Sequence, residues 1–364
     1  MILAKLTKLN FLFLFIIILL SIIGFFALYS AASGNIDPWS KKQIIRFSIT
    51  FLLLITISLI DTKFFYKYAY MFFFLSLFLL ASVEIAGTFG FGAKRWVNIF
   101  GISIQPSELV KVTIILALSK YYHALRFDRI GKIRNIFFPL CIVLAPFFLV
   151  LLQPDLGTSV MILLLGLSII FIAGVRLWKF LLGFILSLIA MPLIWSNLKP
   201  YQHRRVLAFL NPESDPLGSG YHLIQSKIAL GSGGLTGKGF LQGTQSYLEY
   251  LPEKQTDFIF TLIGEEFGFI GTIFILILFL LIIILSYYIS FKSNHVFGKI
   301  LSVGVSLNFF LYVFSNTAMV TGLIPVVGVP LPLISYGGTA MLSVMVSFGL
   351  LMNIAINSHL RKLE

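Results

Sequence analysis

The stretch that decides the fold is Ile300–Leu360, ILSVGVSLNFFLYVFSNTAMVTGLIPVVGVPLPLISYGGTAMLSVMVSFGLLMNIAINSHL. Its 61 residues contain no Asp, Glu, Lys or Arg. A helix needs about 20 mostly apolar residues to cross the hydrocarbon core of a bilayer, so the run holds two spans and a connection. Gly322–Gly338 is that connection, with three prolines and four glycines in 17 residues. Proline at this density stops a helix. Irregular backbone at membrane depth must be buried in protein or line a cavity. Residues 322–338 are therefore expected to form an outer re-entrant segment that floors a polar chamber.

Working outward, charge-free stretches recur toward the amino terminus, the first being Leu9–Ile36. Ten spans are predicted, at 9–30, 44–60, 66–86, 106–122, 135–153, 156–174, 178–195, 257–289, 298–320 and 337–357. The chain has 364 residues, of which 58% are hydrophobic and 11% charged, with a mean hydropathy of +0.98. A soluble domain carries about 25% charged residues, so a soluble enzyme, a disordered chain and a disulfide scaffold are excluded. Cys141 is the only cysteine, which rules out an intrachain disulfide and a metal–thiolate cluster. The expected fold is an all-α polytopic membrane protein, one integral membrane domain over 1–364. About ten transmembrane helices are expected, with one large extracytoplasmic loop, 195–256, between spans seven and eight. Lys5, Lys8 and the apolar run before Ala31-Ala32-Ser33 resemble a signal peptide; the length of the run favours a retained anchor.

The net charge of +13 reads as topology rather than as nucleic-acid binding. With the amino terminus inside, the inner segments carry fifteen basic residues against Asp61, Asp128 and Glu364. Cytoplasmic loops carry the excess of Lys and Arg, so both termini are expected in the cytoplasm and the large loop outside.

Ionisable groups within spans are costly and mark sites. Glu108 and Lys111, three apart on span four, share a helix face and can pair, either structurally or at a site. Lys94-Arg95-Trp96 lies just before, and Trp96 has an alternative reading as an interfacial anchor. Asp155 sits in the turn between spans five and six and Asp257 opens span eight; each also reads as a helix cap. Glu265 and Glu266 follow, and Asp257 and Glu265 would lie within about 80° on a helix. Tyr221–Leu230 places apolar residues largely on one face, which suits a helix on the membrane surface or one packed on the bundle. Gly231–Gly239 (GSGGLTGKG) fails as a nucleotide phosphate loop, because Ser232 and Gly239 stand where that motif needs Gly and Ser or Thr. It reads as a flexible connection, or more weakly as amides that meet a lipid-linked pyrophosphate.

The motifs Gly92-Ala-Lys-Arg-Trp-Val97, Gln105-Pro-Ser-Glu-Leu-Val-Lys111, Gln153-Pro-Asp-Leu-Gly-Thr158, Arg205-Val-Leu-Ala-Phe-Leu-Asn-Pro212, Thr256-Asp-Phe-Ile-Phe260 and Pro332-Leu-Ile-Ser-Tyr-Gly-Gly338 occur in that order. In this the chain resembles the SEDS (shape, elongation, division and sporulation) family, most closely its rod-shape-determining branch. The resemblance implies ten spans in a bacterial inner membrane and peptidoglycan glycosyltransferase activity. The substrate would be lipid II and the released product undecaprenyl pyrophosphate, in cell-wall synthesis for elongation and cell shape. It also implies a single-span class B penicillin-binding transpeptidase as partner, and an essential acid at Asp257. One departure is Gln255, where the family usually has His; Gln still donates and accepts hydrogen bonds.

Polymerisation joins a 4-hydroxyl to an anomeric carbon with inversion, so one displacement suffices. It needs a base on the acceptor hydroxyl and positive charge on the departing pyrophosphate. Asp257 is the expected base. Lys111, Arg95 and Arg205 are expected on the pyrophosphate, Glu108 orients Lys111, and Trp96, Asp155 and Gln255 complete the substrate site. A divalent cation, magnesium or manganese, would also serve the leaving group, although no ligand cluster is evident. The competing function is a lipid II flippase, which should show charged residues along a route through the inner half of the bundle; the spans carry none there. A scaffold for the elongation or division machinery is the third reading.

Overall fold

A computed structural model describes residues 5–90, 93–99, 102–197, 200–212, 218–247 and 253–358. Ten long helices dominate these residues: α1 (Phe11–Ala31), α2 (Trp39–Leu59), α3 (Thr62–Ala86), α4 (Pro106–Ala124), α5 (Ile133–Leu152), α6 (Leu156–Ile172), α7 (Leu177–Ser196), then α11 (Ile259–Lys292), α12 (Val296–Thr321) and α13 (Gly338–Ile356). Between α7 and α11 lie three shorter ones, α8 (Pro200–Leu210), α9 (Ser219–Ser232) and α10 (Thr244–Tyr247). By length and composition α1, α2, α3, α5, α11, α12 and α13 can cross a membrane, and α6 and α7 contain shorter apolar stretches.

The helix ends follow from local chemistry. Asn10, Asp61 and Asp155 each accept a bond from a backbone N–H one turn into α1, α3 and α6, satisfying donors that a helix start leaves unpaired. Pro106 opens α4, where its missing N–H costs nothing. Gly322 closes α12 in the left-handed conformation, φ 77°, as glycine allows.

The centre of the bundle is α12 and α13, most of whose residues are buried. α13 runs along α2, α12 along α11, α4 along α3, and α6 along α5. The outer helices present large apolar side chains to their surroundings, among them Phe15, Phe26, Phe78 and Phe274, as expected where lipid rather than water is the solvent. α7 is exposed over nearly its whole length.

The all-α expectation needs one correction. The link between α3 and α4 is a three-stranded antiparallel sheet, β1 (Thr88–Gly90), β2 (Ala93–Ile99) and β3 (Ile102–Ile104), with Thr88 opposite Trp96 and Val97 opposite Ile104. The sequence TFGFGAKRWVNIFGISI explains it: glycines punctuate short runs rich in aromatic and β-branched residues, which suit a pleated strand.

Candidate active site

Asp257 stands in the turn Glu253–Phe258, ahead of α11 rather than inside it. The expected shared helix face with Glu265 is therefore absent. Asn316 on α12 donates both to Asp257 O (2.8 Å) and to Val329 O (2.7 Å), so one side chain ties the acid's backbone to the segment 322–338. A Cβ built on Gly328 would lie 3.4 Å from Asp257 Oδ2, and Gly328 has φ +69°. The carboxylate thus faces backbone that glycine keeps open. The same segment donates from Tyr336 N to Gln255 O (2.8 Å) and from Ser335 Oγ to Thr256 O (2.6 Å). Gln255 Nε2 in turn donates to Glu253 Oε2 at 3.1 Å, as does Thr256 Oγ1.

Next to this turn lies the start of α6. A Cβ on Gly157 would meet Val327 O at 2.7 Å, so α6 packs directly on the segment. Asp155 caps α6 through Thr158 N (3.2 Å) and pairs with Arg95 at 3.7 Å. Arg95 also donates to Pro154 O (2.5 Å) and Gln153 O (3.5 Å). Trp96 is half-buried on β2. Arg95 and Asp155 are thus brought together with the turn as their common partner. Below them an apolar groove of about 420 Å³ opens between α6, α8 and α12, lined by Val160, Leu164, Val206, Phe310 and Phe314 and roofed by Ile324–Val327.

Glu108 and Lys111 are placed differently. Both are buried, at 5% and 1% exposure. Lys111 Nζ donates to Glu108 Oε1 at 2.7 Å and lies 4.1 Å over the Tyr312 ring, while Tyr312 OH donates to Glu108 Oε2. Ser343 Oγ donates to Glu108 O. This network joins α4, α12 and α13 and encloses the ammonium. Arg205 is on α8, with its side chain outside the described residues.

Sequence reasoning noticed Glu265 and Glu266 but not what they hold. Gly268 breaks α11 with φ 65° and ψ −161°, which frees the carbonyls before it. The stretch from Gly231 to Gly239, expected to be flexible, is wedged into this break. Lys238 N and Gly239 N donate to Glu265 O and Glu266 O, each at 3.0 Å, and Phe269 N and Ile270 N donate back to Gly234 O and Leu235 O. These loop amides are already engaged and do not present a free phosphate cradle. Glu265, fully buried, accepts from Lys238 Nζ (2.8 Å), Gln245 N (2.9 Å) and Thr244 Oγ1 (3.2 Å); Ser30 Oγ on α1 donates to Glu266. Of the two readings of the Tyr221–Leu230 helix, the structure shows the packed one: α9 lies on α11 and α12, with Ser226 Oγ bonded to Thr261 Oγ1 and Val320 O. Among the described residues no three His, Cys, Asp or Glu side chains converge as metal ligands, so no divalent-ion seat is visible there.

A helical bundle of membrane-crossing length, with an acid held at the end of a broken helix against an irregular segment and an apolar groove beside it, defines a polytopic membrane protein whose candidate site joins a carboxylate to an apolar groove. The chain belongs to the FtsW/RodA/SpoVE family of cell cycle proteins, the SEDS family, whose profile matches residues 10–360. It is 39% identical to peptidoglycan glycosyltransferase MrdB of Escherichia coli K12 over 96% of this chain and 94% of that protein. It resembles a chain of a peptidoglycan synthase complex that coordinates polymerization and crosslinking (27% identity, TM-score 0.84, covering 96% of this chain and 98% of that one). It also shares the fold of rod shape determining protein RodA from Thermus thermophilus (24% identity, TM-score 0.74, covering 97% and 98%).

Proposed function

We propose that this chain is a peptidoglycan glycosyltransferase that polymerises lipid II into glycan strands and releases undecaprenyl pyrophosphate, in the service of cell elongation and rod shape. The observation that carries the mechanism is the position of Asp257, a partly exposed carboxylate facing the glycine-lined segment 322–338 one residue from the roof of an apolar groove. The groove suits a polyprenyl tail, and the carboxylate suits a sugar hydroxyl presented above it.

In this reading Asp257 takes the proton from the acceptor 4-hydroxyl as its oxygen bonds to the anomeric carbon. The bond from that carbon to the lipid pyrophosphate breaks, and the configuration inverts. Such base catalysis contributes about 10²–10⁴-fold. Gln255 and Thr256 act on Asp257 indirectly, by holding Glu253 and so the turn that carries it. Asp155 and Arg95 fix the α5–α6 turn against Val327 and so position the floor of the site. The enclosed Lys111 serves the bundle through Glu108 and Tyr312 instead of meeting the leaving group. Arg205 remains a candidate for the pyrophosphate.

The ten long helices are assigned as ten spans of a bacterial inner-membrane protein, with both termini cytoplasmic and 195–256 periplasmic; the excess of basic residues in the inner segments supports this. Segment 322–338 then enters from the periplasmic side. The likeness to a synthase complex with a crosslinking activity supports a single-span class B penicillin-binding transpeptidase as partner. The test is glycan synthesis from lipid II in detergent by purified wild type and Asp257→Asn. Loss of polymerisation with an unchanged melting profile is expected; wild-type rates in the variant remove Asp257 from the mechanism. Polymer made without a sealed bilayer separates an enzyme from a flippase.

A further inference from the structure

We infer that Arg46, on α2, is a seat for a phosphate oxyanion of the lipid-linked substrate, an inference that rests on the glycosyltransferase reading above. Arg46 Cζ lies 4.4 Å over the ring of Tyr336, and Tyr336 N is bonded to Gln255 O, two residues from Asp257. One helical turn earlier, buried Gln43 donates to Ser335 O at 2.8 Å, which locks this face of α2 onto the same segment. The guanidinium thus rests on Tyr336, and Gln43 fixes the helix that carries it to the same segment, beside the turn that carries the proposed base.

Among the described residues no carboxylate lies within 4.0 Å of Arg46. Three other basic groups are paired with carboxylates: Lys111 with Glu108, Arg95 with Asp155, and Lys238 with Glu265. Arg46 also abuts the start of α13, where a Cβ on Gly338 would lie 3.3 Å from Arg46 Nε and Gly337 supplies no side-chain cap. The amino end of a helix carries partial positive charge, so a half-buried cation is held against a positive pole. An arginine stays protonated at any accessible pH, and an anion bound there would offset this repulsion. The Tyr336 ring covers the central carbon of the guanidinium, and the N–H donors of a guanidinium suit a bidentate oxyanion. Arg46 lies seven residues, about 10 Å of helix rise, inward from Trp39 at the start of α2. That depth suits the phosphates of a lipid head group better than the peptide carboxylates that extend beyond it.

The experiment compares binding of farnesyl pyrophosphate, farnesol and N-acetylmuramyl pentapeptide to the purified full-length chain in detergent, for wild type, Arg46→Gln and Arg46→Lys, with lipid II polymerisation measured in parallel. Wild type should bind farnesyl pyrophosphate more tightly than farnesol. Arg46→Gln should weaken the pyrophosphate by about tenfold to hundredfold and leave farnesol unchanged. Arg46→Lys, which keeps the charge but loses the fork, should fall between and supplies the test if Arg46→Gln does not fold. Equal pyrophosphate affinity in wild type and variants, no preference for pyrophosphate over farnesol, or an Arg46 dependence confined to the pentapeptide each overturn the seat. A wild type that binds pyrophosphate through Arg46 yet makes no glycan keeps the seat and removes the glycosyltransferase reading.

Discussion

Removing Lys111 alone from the Glu108–Lys111 pair should cost about twice as much as removing both members. At an effective dielectric of about 20, unit charges at the observed separation attract by about 6 kcal/mol. Withdrawing two ions from water offsets most of that gain, so the intact pair is close to neutral for stability. Lys111→Met leaves Glu108, at 5% exposure, with Tyr312 as its side-chain donor, and stranding a buried charge in this way costs about 3–5 kcal/mol. Glu108→Gln leaves the ammonium over the Tyr312 ring, where a desolvated cation–π contact returns about 2 kcal/mol, so its loss should be the smaller. The double variant Glu108→Gln/Lys111→Met buries no charge, and Tyr312 can still donate to Gln, so it should cost about 2 kcal/mol and a coupling of about 4 kcal/mol, the two single losses less the double, should appear in the cycle. The assay is thermal unfolding of the purified chain in detergent, read as loss of monodisperse protein. At about 2–4 °C per kcal/mol, Lys111→Met should melt roughly 10 °C early and the double variant should recover about half of that. A double variant as unstable as Lys111→Met would refute the reasoning, as would a single variant within about 2 °C of wild type.

The glycine wedge offers an internal contrast. Gly237 has φ +81° and a Cβ there would meet Glu266 O at 2.1 Å, whereas a Cβ on Gly231 meets nothing within 4 Å. Gly237→Ala should therefore destabilise by more than the roughly 1–2 kcal/mol of a left-handed alanine, while Gly231→Ala, at a helical position, should be neutral or stabilising by up to about 1 kcal/mol; equal melting temperatures for the two would contradict the wedge. His295 precedes α12 and caps it, accepting from Gly298 N at 2.8 Å. Burial, reinforced by the charge of neighbouring His123, holds its imidazole down from 6.5 to about 4. The unfolded chain then binds the proton first, so stability is full above about pH 6.5 and is lost as pH falls toward 4. His295→Asn keeps a capping acceptor and should flatten that acid limb of the melting profile; an unchanged pH profile would show that His295 does not set it.

Much of the architecture was legible because membrane helices obey a length and polarity rule that needs no tertiary information. The apolar stretch read at 156–174 is observed as a helix over Leu156–Ile172, and that at 337–357 as a helix over Gly338–Ile356. The site was legible where a residue's role is local. Asp155 at a helix start announces a cap, and Glu108 three residues before Lys111 announces a pair. It was not legible where the partner is distant in sequence. Tyr312 gives no sign of closing over Lys111 from 201 positions away, and Arg46, which nothing in the sequence singles out, acquires meaning from Tyr336. Both depend on which helices pack together, which hydropathy does not encode.

The stretch from Gly231 to Gly239 shows why composition misled at one point. Five glycines in nine residues suggest freedom, because glycine is permissive in isolation. Here the same property serves close approach. A Cβ on Gly233 would lie 2.0 Å from Gly264 O, and one on Gly268 would lie 2.4 Å from Gly237 N, so the two strings of glycines interlock backbone to backbone. The break in α11 exposes carbonyls that lipid could not satisfy, and the wedge supplies the missing donors from a loop some thirty residues earlier. Glu265 and Glu266 are buried beside that break, one drawing on Lys238 from the wedge and the other on Ser30 from α1. Loop, broken helix and first helix are thereby fastened at one point, at the far end of the helical turns that begin beside Asp257. A change at Gly237 or Lys238 should reach the acid through the first half of α11, although neither residue is placed in contact with substrate.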